Sequence, residues 1–427
     1  MKHTVSEVVL KNGIKGLFIH IPDASVMTFE INFRAGEYLV PKEKWETPHL
    51  MEHVLLGANQ LIPKARAFQA EFEKNGAYGN ASTGSYDIIY EAECADFEWD
   101  RILGLLLTAI TKPLFLEDEF TAEFGNVREE LSARSNNHFR HLSLALREAY
   151  GFKVLTDQER LKLMDNVTLS DIKRHYEATH TTKNLRFVIA GNINAARKAE
   201  IEGHLNSIAL PQGDVRTPLP DEKPRGLNKP LSIPNESVKN LYFYLDTFLA
   251  RRMRDAETDA LNLINSMLTE TLYSRILGTA RERGLVYSMS SGVSQTKNST
   301  NWWFGAQVMM KNATPLFEIM RHELEAVFSG EVLEADIAAA KQYALGKFQR
   351  SGQTVGGTAN GYSTRYFFDG NIDDYYKIPQ RIEAINKDIV IKTSKAMFKD
   401  QIWGLGVLGN AEDKDIRALH ELLKPLW

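Results

Sequence analysis

A chain of 427 residues with 43% hydrophobic and 25% charged side chains has the composition of a folded, water-soluble protein and length for two to three domains. Its net charge of −4 is spread along the sequence without a basic stripe or polybasic run, which argues against nucleic acid and a membrane surface as partners. The single cysteine, Cys94, excludes an intrachain disulfide and a CxxC motif, suits a reducing compartment, and reads as a small buried hydrophobe.

The opening residues MKHTVSEVVLKNGIKG lack the apolar stretch of a signal peptide and run directly into strand and turn patterns, so a cytoplasmic location is expected. Strand-like "EVVLKNGIKGLFIHI" and "VMTFEINFRAG" are followed by a helix, a hairpin and further helices. The run "ILGLLLTAI" (Ile102 to Ile110) is far short of the ~20 residues that cross a bilayer and reads as a buried helix. In "SNNHFRHLS", His138 and His141 stand at i and i+3 with no acidic partner nearby, as expected of a solvated helix face. A strand "NLRFVIAGNI" closes the first half.

Between Pro211 and Pro230 five prolines and several charges interrupt the apolar periodicity, the mark of a linker. It divides the chain into domains at 1–212 and 230–427 joined by 213–229. The second half runs in a similar order: strand-like "NLYFYLDTF", one helix-like stretch "AETDALNLINSMLTETLYSRIL", strands "VYSMSSGV" and "NWWFGAQVMM", helices, and a closing "IWGLGVLGN". A long-period internal duplication of two α+β domains is the economical reading. The glycine-rich segment Ser351 to Arg365 lacks the G-K-[ST] ending of a phosphate loop and is expected to be a loop or helix cap.

The chemistry concentrates in "ETPHLMEHVLLGANQ". Thr47 and Pro48 form a helix start, with the threonine hydroxyl as cap. Beyond them His49 and His53, four residues apart, share one helical face and can converge on one cation. Glu52 borders that face, where a carboxylate reaches a metal-activated water without being a ligand, as metal-assisted hydrolysis requires. In a chain with 11 histidines only about 0.02 chance matches to H-x-x-E-H are expected, which favours a site over coincidence.

A catalytic zinc usually takes three protein ligands. The helix candidate Glu117 to Asn137 offers Glu119, Glu123 and Glu130 near one face, with Glu129 about 100° away; the residues alone do not choose among them.

The sequence resembles the inverzincin metallopeptidases, the family of pitrilysin, insulysin and the mitochondrial processing peptidase, whose H-x-x-E-H motif is followed by a distant glutamate. The family's third ligand, 77 residues after the second histidine, falls on Glu130, and a supporting glutamate seven residues earlier falls on Glu123. "EFGNVREE" resembles the family's E-R-x-x-V-x-x-E segment. "NGAYGNASTGSYDIIYEAEC" resembles the strand beside the metal, which implies that Asn80 and Ala81 hold substrate backbone. "HYEATHTTKNLRFVIAGNI" and "LYSRILGTARERGLVYSMSSG" are similar to the end of the first domain and to the second domain's S-R-L-x-x-x-L-R-x-x-x-G-L-x-Y segment.

The resemblance implies one zinc per chain on His49, His53 and Glu130, Glu52 as general base, Glu123 in support, and Tyr287 with Arg281 at the developing oxyanion. It implies two homologous domains, each a mainly antiparallel sheet packed against helices, the second without metal, forming half of a clamshell chamber. A homodimer, or a heterodimer with a related subunit, is therefore expected, acting on peptides or unfolded protein segments. The alternative is a scaffold subunit without catalysis.

Two departures stand out. The family's G-x-A-H is here Glu46-Thr47-Pro48-His49, and the family arginine seven residues before Tyr287 is here Ala280, leaving Arg281, Arg283 or Arg275 for that role.

Overall fold

Along Val26–Phe33 the side chains of Met27, Phe29, Ile31 and Phe33 fall on one side of an extended chain and those of Thr28, Glu30 and Asn32 on the other, and all are buried. Burial on both sides marks a central strand. The computed structural model, which describes every residue from Met1 to Trp427, places this strand, β3 (Val26–Phe33), inside a six-stranded sheet. Its other members are β1 (Thr4–Val9), β2 (Lys15–His20), β4 (Tyr78–Thr83), β5 (Ile88–Ala95) and β6 (Leu185–Gly191), in the order β1-β2-β6-β3-β5-β4. Only β2 and β6 pair in parallel.

A second sheet contains β7 (Leu231–Pro234), β8 (Leu241–Leu249), β9 (Met289–Gln295), β10 (Thr300–Val308) and β11 (Ile402–Gly409), in the order β7-β11-β8-β10-β9. From its second strand onward the first sheet has the same succession, and in both the lone parallel pair stands at the same place. The expected duplication of an α+β domain is thus written in the strand order.

On the apolar face of the first sheet lie α1 (Thr47–Leu55), α2 (Ala65–Glu73), α3 (Trp99–Thr111) and α4 (Glu117–Ser135). Leu50, Phe72, Leu106 and Val127 from these four join Phe29 and Ile31 in one core. The run Ile102 to Ile110 is the buried side of α3, and no helix is long and apolar enough to cross a membrane. Cys94 is buried and unpaired.

The compact units meet within the linker, between Leu219 and Pro220, but each also includes a segment from beyond it. One comprises residues 1–133, 157–219 and 349–375; the other comprises 134–156, 220–348 and 376–427. Each half lends the other a helix. The helix His138–Ala149, capped by Asn137 on Arg140 N–H at 2.9 Å, packs on β8 and β11 with Leu142 and Leu146 buried. The helix Val355–Asp369 packs on β6 and β3, covering the polar face of the first sheet. Apart from these two exchanged segments, the units divide within the linker read from the sequence: apolar periodicity dictates that a helix be covered, not which sheet covers it.

Three local expectations change. The glycine-rich segment does hold a cap, Thr354 accepting from Gly357 N–H at 2.9 Å, but the rest of it is helical as far as Asp369. The stretch Ala256 to Leu277 is two helices. Asp255–Asn265 passes into a π turn and ends where the Ser274 hydroxyl donates to the Ser266 carbonyl and accepts from Thr271 N–H. The strand expected from Val286 begins at Met289, leaving Tyr287 in a loop.

The exchanged helix Val355–Asp369 is fastened at its C-terminus, where the partial negative charge of a helix end favours cations. Arg186 donates to Tyr366 O at 2.6 Å, Arg216 to Phe367 O at 3.0 Å, and Arg34 to Phe367 O at 2.7 Å and to Phe368 O. Gly370 follows in the left-handed conformation (φ +80°), where a Cβ would also crowd the Arg186 guanidinium at 2.9 Å. Arg34 is 3% exposed and also pairs with Asp87 at 2.7 Å. Replacing it with methionine leaves Asp87 without that partner, so Arg34→Met is expected to lower stability by about 3 kcal/mol or more. Thermal unfolding measures this, and hydrogen exchange should show the amides of 355–369 losing protection first; unchanged protection there would detach the helix from this anchor.

Candidate metal centre

Helix α1 buries Leu50, Met51, Val54 and Leu55 in the core and turns His49, Glu52 and His53 to its other side. The two imidazole rings lie 5.0 Å apart at 79° to each other. From α4, Glu130 Oε2 approaches His49 Nε2 at 3.3 Å and His53 Nε2 at 3.7 Å. One ligand atom from each of these three residues lies within 4.8 Å of the other two.

Both rings are oriented from behind. His49 Nδ1 meets Glu46 Oε2 at 3.0 Å, and His53 Nδ1 meets Glu123 Oε2 at 2.9 Å. A carboxylate at Nδ1 fixes the proton there and leaves the Nε2 lone pair for a cation. Two nitrogens and one carboxylate oxygen converging in this way fit zinc by donor type and number.

The charges of the cluster are closely coupled. Burial would lower the pKa of His49, but its bonds to Glu130 and Glu46 outweigh that and push it up to about 9. Burial would likewise raise Glu46, which His49 and Arg160 instead hold at about 2. Arg160 donates to Glu46 Oε2 at 2.9 Å and lies 3.2 Å from Glu37. The bond with His53 keeps Glu123 below the usual carboxylate range.

Glu52 is 9% exposed and accepts a hydrogen bond of 2.6 Å from Thr83, the last residue of β4. Strand β4 is an edge, paired only with β5, and carries exposed Asn80 and buried Ala81 opposite Glu91 and Tyr90. The other glutamates of α4 separate by contact. Glu119 accepts from Ala58 N–H and Ala65 N–H, both at 3.0 Å, tying down the start of α2, and Glu129 is exposed.

In the second unit Tyr287 is 81% exposed. The Arg281 guanidinium lies 4.5 Å over its ring and donates to its carbonyl. Arg275 is engaged by Glu323 at 2.5 Å and Asp336 at 3.2 Å, while Arg283 is exposed at the end of the same helix. Of the three arginines left open, Arg281 is the one the structure brings to Tyr287.

The family model described as insulinase (peptidase family M16) matches residues 18–157, and that described as peptidase M16 inactive domain matches residues 166–343. The chain belongs to peptidase family M16. This bears out the resemblance to the inverzincins. The zinc protease PqqE of Helicobacter pylori is 25% identical over 226 residues, half of each protein, so the chain spans about half the length of that curated relative. The crystal structure of a protease from Helicobacter pylori shares the fold at a TM-score of 0.83 and 19% identity, covering 95% of this chain and all of that one. The peptidase M16 inactive domain from Pseudomonas fluorescens does so at 0.84 and 16% identity, covering 96% and 98%.

Sequence reasoning missed Glu46, Arg160 and Thr83. It also made Thr47 the cap of α1, whereas Thr47 is the first helical residue, its buried hydroxyl unpartnered, and Glu46 stands at the cap position with its carboxylate turned to His49. A glutamate three residues before His49 was the one available signal, since i and i+3 share a helical side. Arg160 and Thr83 give none, because only the fold brings them there.

Ring orientation from behind typically contributes 10- to 100-fold in metal affinity. Glu46→Gln removes the charge that bonds His49 Nδ1, and zinc affinity measured by chelator competition should fall by about that factor. An unchanged affinity would reduce Glu46 to a partner of Arg160 alone.

Proposed function

We propose that this chain is a zinc-dependent endopeptidase acting on peptides or unfolded protein segments. The observation that carries the reading is the convergence of His49, His53 and Glu130, with buried Glu52 on the same helix. Zinc held by those three residues supplies Lewis acidity toward a water and a peptide carbonyl.

Glu52 takes the proton of the attacking water and delivers it to the leaving nitrogen. Its bond from Thr83 fixes the carboxylate for both transfers. The free edge of β4 at Asn80 and Ala81 binds the peptide in extended form by main-chain hydrogen bonds, which read backbone more than side chains and make specificity broad. Tyr287, with Arg281 on its ring, donates to the developing oxyanion, as the family resemblance implies.

The word "inactive" in the second family description falls on residues 166–343, which contain none of His49, Glu52, His53 and Glu130. It therefore favours a metal-free second domain rather than a scaffold role for the whole chain.

On a quenched peptide, the zinc-loaded Glu52→Gln variant should keep its metal and lose hydrolysis, whereas His49→Ala, His53→Ala and Glu130→Ala should lose both. Tyr287→Phe in the same assay should reduce kcat about 10²-fold with zinc retained. Parental activity in Glu52→Gln would remove the assignment of general base.

The family resemblance implies a chamber of four such domains, and one chain supplies two. The assembly is therefore at least a dimer, of identical chains or with a related subunit, and closed two-fold symmetry is its simplest form. Light scattering at micromolar concentration should show a species above the 48.4 kDa of one chain. A fully active species of 48.4 kDa would exclude the dimer.

A further inference from the structure

The polar face of the first sheet holds a charge arrangement that zinc chemistry does not use. Glu30 of β3 stands directly across from Glu91 of β5, and Thr28 directly across from Glu93. On the far side of β5, Asn80 and Tyr78 of the edge strand β4 continue the two rows. Like charges directly opposite on neighbouring strands repel.

The helix Val355–Asp369 covers this face over β6 and β3. Between it and strands β4 and β5 remains a pocket of about 360 Å³, lined among others by Thr28, Glu30, Glu91, Glu93, Asn360 and Ser363. That volume is at the lower end of the ~300–1,000 Å³ range of small-ligand sites. No lysine, arginine or histidine lines it, and none of the three glutamates is in an ion pair.

Two further features point to a ligand. Thr28 is 7% exposed, lines the pocket, and its hydroxyl oxygen finds no hydrogen-bond partner in the protein. Gly356 forms part of the wall, and a Cβ there would come within 3.2 Å of Glu93 Oε2 and 3.9 Å of Thr28 Oγ1, closing space that glycine leaves free. Burial, with the charge of Glu91 adding to it and a bond from Ser363 opposing, raises the Glu30 carboxyl to about 7.

The ionised carboxylates of Glu91 and Glu93 accept hydrogen bonds and cannot donate them, so a donor-rich cation suits this pocket. Among clusters of three possible metal ligands, only His49, His53 and Glu130 bring their atoms together. The pocket glutamates are spread too far for a bare ion and suit a polyatomic one.

We propose that this pocket receives the ammonium or guanidinium group of a lysine or arginine in a peptide laid along β4, a reading that rests on the assignment of Asn80 and Ala81 to peptide binding. A strand added to the free edge of β4 lies two strand spacings, about 10 Å, from β5. Its side chains on the face of Asn80 must cross β4 to reach Glu91 and Glu93, and lysine and arginine have the length to do so. Backbone pairing alone gives broad specificity; this pocket adds a preference for one basic residue.

Calorimetry on the zinc-loaded Glu52→Gln chain, in the assembly it forms, tests this with two matched ten-residue peptides. One carries a single arginine, and in the other citrulline replaces it. Charge-assisted hydrogen bonding should make the arginine peptide bind about tenfold more tightly. The ratio should fall toward one when Glu91→Gln and Glu93→Gln are combined, and also in Gly356→Ala, which narrows the pocket without changing its charge. Equal affinities for the two peptides, no binding of either, or a ratio unaltered in both variants would overturn the proposal. Because hydrolysis is not read, an inactive parent enzyme would count against the peptidase assignment and leave these ratios standing on their own.

Discussion

Two imidazoles one helical turn apart can share a cation only if both Nε2 atoms face the same point, and nothing in an α-helix alone enforces that. Here the enforcement comes from carboxylates behind the rings, and each carboxylate needs its own reason to stay charged. Glu123 is partly exposed and keeps its charge through His53 and solvent. Glu46 is fully buried at the start of α1 and keeps it through Arg160, which in turn rests against Glu37. Residues far apart in sequence are therefore placed by the requirement that one ring not rotate.

Strand β4 joins three duties in six residues. Its last residue, Thr83, positions Glu52, its outer edge offers main-chain groups, and its polar face adjoins the glutamates of β5. Movement of this strand would displace all three together. Phe72 of α2 restrains it from the core side, where it packs so near Gly79 that a Cβ would stand only 2.6 Å from its ring.

How much of this was legible follows from what each signal encodes. The histidine face of α1 was readable because helical periodicity is local, and the similar succession of elements in the two halves because alternation and turn residues recur. The choice of Glu130 over Glu119 was not readable from α4 alone. All its carboxylates look alike until the fold gives Glu119 two backbone N–H groups and Glu130 two imidazoles. Val355–Asp369 looked like a loop because glycine opposes helix intrinsically; tertiary packing and the arginines at its end override that preference.

The reciprocal exchange of helices has a consequence for how the molecule is made. During synthesis the first sheet has all six of its strands once residue 191 has been added, yet the helix for its polar face is encoded at 355–369. For more than 160 further residues the buried rows of β3, with Glu30 and Asn32 among them, stay uncovered. Meanwhile residues 138–149 have emerged early and wait for a sheet that does not yet exist. The two halves therefore mature together rather than in turn, and the first unit is not complete until most of the second has been translated.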